Sequence, residues 1–135
     1  MLKHIDLVPK WLRILVGILA LMNIAFGIMG YFDMSVLFPN GTGIDLTSAI
    51  IKNATYEFAA RNLAIGLALM IVALKGVPES LTIVIIIRAL IEIQTIIIAL
   101  VHANITSMLI LPLVLFIVEI FIIVTLVKVI AKKDA

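Results

Sequence analysis

Residues 81–101, LTIVIIIRALIEIQTIIIALV, constrain this chain more than any other stretch. Twenty-one residues at 1.5 Å rise make a helix of about 31 Å, the thickness of a bilayer's hydrocarbon core. Into that aliphatic run the sequence sets Arg88, Glu92 and Gln94. A charge at such a depth costs about 2.5–3.5 kcal/mol on insertion scales. Arg88 and Glu92 therefore have to turn away from lipid, and other helices have to cover them.

Composition extends this reading to the whole chain. Of 135 residues, 64% are hydrophobic and 13% are charged. A soluble domain is nearer half apolar and a quarter charged. The expected fold is all-α: an integral membrane four-helix bundle of antiparallel up-down topology, with residues 1–135 forming a single four-span domain. The apolar runs place the spans at about 11–31, 56–74, 81–101 and 108–130. The first run is too long for a signal-peptide core, and no small-x-small site ends it before Tyr31, so it is expected to stay as a span. The chain has no cysteine, which excludes disulfides, thiolate metal sites and cysteine nucleophiles.

Within the first span, Ala20, Asn23, Gly27 and Gly30 fall at i, i+3, i+7 and i+10. They form one small, polar stripe that lets another backbone come close, and Asn23 can line a site there. The segment 33–55 opens with a turn signal, FPNGTG at Phe38–Gly43, followed by Asp45 or Thr47 as a helix cap. Residues 48–56 are expected at the surface or as an outward extension of the second span. A loop of this length can also lid a cavity. In the second span Glu57 and Arg61 stand one turn apart, and Asn62, Gly66 and Ala73 line a neighbouring face. Gly76 suits a helix C-cap, and Pro78 with Glu79 a new N-terminus, so spans two and three are antiparallel neighbours. On the third span Arg88, Glu92, Thr95 and Ala99 share a face. Gln94 points roughly 160° away from Glu92 and needs another neighbour or a second subunit. The segment from His102 to Ser107 reads as another tight turn. Pro112 sits near the start of the fourth span, where it can bend it, and Glu119 lies near mid-depth.

Cations set the expected orientation. Lys3, Lys10, Arg13, Lys75, Lys128, Lys132 and Lys133 gather at one side, and Lys52 stands alone at the other. The positive-inside rule then puts both termini in the cytoplasm of a multi-pass cell-membrane protein. The net charge of +2 reflects these helix ends and is no sign of nucleic-acid binding. Sequons at Asn40, Asn53 and Asn104 read as chance occurrences in a chain rich in Asn and Thr.

Asn23, Glu57, Arg61, Arg88, Glu92 and Glu119 are the candidate polar core. Their charges sum to −1, and one network inside the bundle is the expected arrangement. Such a network can simply hold the helices in register. It can also form the polar end of a site for a small lipophilic ligand, open to the outer half of the membrane. An enzyme moving a proton on a lipid-like substrate, or a dimeric proton-coupled carrier, are alternatives; no catalytic residue is assigned. No metal is expected, because His4 and His102 lie at opposite faces without ligand-spaced partners.

The segments GIMGYFDMSVLFP, YEFAARNLAIGLALMIVAL and IIIRALIEIQTIIIAL together resemble the DoxX-like group of small four-span membrane proteins. The residues that carry the resemblance are Gly27, Gly30, Pro39, Glu57, Arg61, Gly66, Arg88 and Glu92, within about residues 26–100. The resemblance implies the four-span fold. It also implies a link to quinone as cofactor or ligand, with the chain as an accessory subunit of a membrane complex.

Overall fold

The structure is a computed structural model that describes residues 7–33, 45, 47–102 and 107–135. The described residues form four helices: α1 (Lys10–Phe32), α2 (Ala49–Lys75), α3 (Pro78–His102) and α4 (Ser107–Asp134). Each is long and apolar enough to cross a membrane. The fold is all-α and fits a membrane four-helix bundle. The turns expected at Phe38–Gly43 and between α3 and α4, with Pro39, Asn40, Asn104 and His4, lie outside the described residues. Chain contacts divide into two compact units, 15–71 and 1–14 with 72–135.

In the first of these units, α1 and α2 run antiparallel at backbone contact. A Cβ added to Gly27 would stand 2.8 Å from the Leu63 amide nitrogen. One added to Gly66 would stand 2.8 Å from the amide nitrogen of Ile24 and 3.0 Å from the Ala20 carbonyl. Each glycine thus receives the other helix's backbone, the arrangement that small residues permit in membranes. Ala20, Asn23, Gly27 and Gly30 are all buried, so the stripe on α1 is a packing face. At one end of this pair the rings of Tyr31 and Tyr56 stack 5.7 Å apart.

α2 begins well before the apolar run that marks its span. Its start corrects the expected cap. The Asp45 carboxylate accepts from the Thr47 amide (2.9 Å) and hydroxyl (2.5 Å), which makes a turn two residues ahead of the helix. Those bonds hold the Asp45 carboxyl below the usual range. Ser48 occupies the cap position, its carbonyl accepting from the Lys52 amide at 3.0 Å.

The second unit centres on α3 and α4. The end of α2 closes on Gly76, whose φ of +66° is the left-handed C-cap conformation that glycine adopts without strain. Its amide donates to the Val72 carbonyl at 2.9 Å. Arg13 completes the cap: Nε donates to the Ala73 carbonyl at 2.8 Å and Nη2 to the Leu74 carbonyl at 2.6 Å. A guanidinium there satisfies two terminal carbonyls and complements the negative end of the helix dipole. The sequence marks Arg13 only as one of the cations gathered at one side. Trp11, half exposed, sets its ring 6.0 Å from that of Phe121.

α3 and α4 pack antiparallel. Lys133 near the end of α4 bonds Glu79 in the first turn of α3 at 2.6 Å. The buried seam of α3 is Pro78, Leu81, Ile85, Arg88, Glu92 and Ala99. That of α4 is Pro112, Glu119, Ile122 and Leu126. Both follow helical spacing, with three acid or basic groups substituted for hydrophobes near the middle. α4 continues through Pro112, six residues into the helix.

Candidate functional site

The three buried charges meet near the midpoints of α3 and α4. Arg88 and Glu92 are one turn apart on α3, and Nη2 of Arg88 donates to Oε1 of Glu92 at 2.9 Å. From the facing helix, Oε1 of Glu119 comes within 2.5 Å of Nε of Arg88. One guanidinium therefore clamps two carboxyl groups, one along its own helix and one across to the next. Glu119 is 0% exposed, and Arg88 and Glu92 are also buried.

The position of each group follows from its helix. The i, i+4 spacing stacks Glu92 on Arg88 along the α3 seam. Ala89 beside them is small enough to leave room for the facing helix. On α4, Glu119 sits seven residues after Pro112 and three before Ile122, so it lies on the only described face of that helix that is buried at this depth.

Charge and hydrogen bonding are unevenly satisfied. Two carboxyls share one guanidinium, so the ionised cluster carries a formal charge of −1. Glu119 Oε1 is held by charge at short range, and Oε2 accepts no hydrogen bond from any described residue. A buried acceptor without a donor costs about 1–3 kcal/mol. Glu119 thus retains an unused acceptor in a site with no other nearby relief among the described residues.

The remaining predicted residues have partners of their own. Among the described residues Glu57 and Arg61 pair with each other, 3.6 Å apart, and their side chains are 72% and 77% exposed. Asn23 is buried on α1, where its amide donates to the Leu19 carbonyl at 2.7 Å. Thr95, expected on the face of Arg88 and Glu92, is exposed, and its hydroxyl bonds back to the Ile91 carbonyl at 3.0 Å. Asn62 likewise bonds back within its own helix, to the Phe58 carbonyl at 2.9 Å. Among the described residues no three His, Cys, Asp or Glu side chains gather as metal ligands would.

Chemically, the cluster offers a fixed guanidinium, a carboxyl with a spare oxygen and an apolar surround. It can hold an ion pair, accept a hydrogen bond or keep a proton between two carboxyls. No protein-family model, characterised protein or solved structure matches the chain.

Proposed function

We propose that this small membrane protein binds a lipophilic molecule carrying a hydrogen-bond donor, alone or as an accessory subunit of a membrane complex. Arg88, Glu92 and Glu119 form the polar end of the site. The observation that carries this reading is the Glu119 carboxyl, wholly buried at mid-span with one oxygen that accepts no hydrogen bond from any described residue. A ligand hydroxyl or N–H supplies that donor, and the aliphatic helices hold its apolar body. Ionisable groups at membrane depth mark functional sites by default, and ligand sites combine an apolar wall with few converging polar groups. A quinol carries such a hydroxyl, and the DoxX-like resemblance makes the reduced quinol the ligand class this reading favours. The cation distribution supports an orientation with both termini in the cytoplasm.

The test is extraction of the wild type and of Glu119→Gln into lipid nanodiscs directly from membranes, with mass spectrometry of the bound molecules. A donor-bearing lipophile enriched over bulk lipid in the wild type, and lost in a folded Glu119→Gln, supports binding at this cluster. Equal retention by both, or no enrichment in the wild type, overturns it. Recovery of the same molecule chemically altered puts catalysis in the place of binding.

A further inference from the structure

The outward face of α3 carries a second, independent pattern. Ile83, Ile87, Leu90, Gln94, Ile97 and Val101 are spaced 4, 3, 4, 3 and 4, the alternation of a heptad seam. All six are exposed; the five aliphatic ones range from 49% to 67%. Gln94 is the single polar member. It lies about 7 Å along the axis from the centre of the α3 span, well inside the hydrocarbon region. It makes no hydrogen bond to any described residue. Its side chain is too short to reach a membrane surface from there, so lipid leaves both its donor and its acceptor unmet.

We propose that α3 pairs with α3 of a second copy of this chain through this seam, with Gln94 bonded to its own counterpart. Self-pairing is favoured by the chemistry of the amide. One Gln side chain holds both a donor and an acceptor, so two related by a two-fold axis satisfy each other. Insertion adds a geometric reason. Two copies with the same orientation, related by an axis along the membrane normal, present Gln94 at the same depth on parallel helices. A 3.5-residue repeat also suits the shallow left-handed crossing of a coiled coil, in which one polar seam residue fixes register and partner number. Hydrogen bonding between polar side chains is a recognised source of helix association in lipid. The seam lies away from Arg88 and Glu92, so pairing does not depend on any ligand at the cluster.

The chain contains no cysteine, so single cysteines report on the seam directly. Leu90→Cys and Ile97→Cys probe it, and Ile117→Cys, at a 65%-exposed position of α4, is the control. Each is reconstituted in phosphatidylcholine vesicles and oxidised with copper phenanthroline at several protein-to-lipid ratios. The expected result is disulfide-linked dimer for Leu90→Cys and Ile97→Cys and little for Ile117→Cys. Adding Gln94→Leu should lower seam cross-linking at least tenfold at a fixed ratio, and Gln94→Asn should restore part of it. Absence of seam cross-links, equal cross-linking at Ile117→Cys, or indifference to Gln94→Leu overturns the proposal. So does a lowered melting temperature of Gln94→Leu under conditions where the wild type is monomeric, since Gln94 would then serve its own chain.

Discussion

Arg88 and Glu119 meet across two helices, Nε to Oε1 at 2.5 Å, close to the midpoint of each. Glu92 touches the same guanidinium but belongs to the same helix. The two carboxyls thus play different parts. Glu119 ties α4 to α3, whereas Glu92 props the guanidinium along α3. Glu92→Gln keeps the interhelical pair and should cost about 1 kcal/mol, the net value of a typical hydrogen bond. Arg88→Ala leaves two buried carboxyls without a cation and should cost about 3–5 kcal/mol. Unfolding titrations in mixed detergent–lipid micelles check the order; equal costs would mean that the pair between Arg88 and Glu119 adds nothing to the stability.

The glycines of α1 and α2 give a prediction with its own control. Gly27→Ala and Gly66→Ala each push a Cβ to within 3.0 Å of backbone atoms on the facing helix. Backbone cannot move aside as a side chain can, so each substitution should cost about 1–3 kcal/mol by overpacking. Gly17→Ala meets no described residue within 4 Å. It should be neutral or stabilise by up to about 1 kcal/mol through helix propensity. Thermal melts of the three variants distinguish a packed glycine pair from a merely flexible one.

At the end of α2, Arg13 and Gly76 act together. Gly76→Ala imposes a positive φ on a residue with a Cβ and brings that atom 3.1 Å from Arg13 Nε. The expected cost is about 1–2 kcal/mol from backbone strain. Arg13→Met removes both hydrogen bonds to the Ala73 and Leu74 carbonyls. Charge-assisted bonds of this kind are worth about 1.5–3 kcal/mol buried, and less here because one of them is solvent-exposed. Because the two residues touch, the double variant should cost less than the sum. Melting temperatures of the two singles and the double measure this.

Much of this architecture was legible in the residues. The Gly76–Pro78 break, the packing stripe from Ala20 to Gly30 and the paired Arg88 and Glu92 all follow from spacing, because each depends on neighbours within one or two turns. The exposed Gln94 was legible for the same reason. Glu57 and Arg61 show where spacing falls short. They repeat the i, i+4 pattern of Arg88 and Glu92 yet stand exposed, on the half of α2 that also carries Lys52, Asn53 and Thr55. The aliphatic setting, more than the spacing, decides which pair is buried. The Arg13 cap was invisible because its partners lie 60 and 61 residues away. Backbone carbonyls at a helix end leave no mark in the composition. The cap at Ser48 was missed because Asp45 and Thr47 are equally good capping residues, and only the backbone shows that they bond each other.

A double-mutant cycle between Arg88 and Glu119 tests most directly whether α3 and α4 share a buried ion pair. Arg88→Met, Glu119→Gln and the double variant are unfolded in the same detergent–lipid mixture. An interhelical pair predicts a coupling energy of at least about 1.5 kcal/mol, within the range for residues in contact. Single costs that add to within about 0.5 kcal/mol would contradict it.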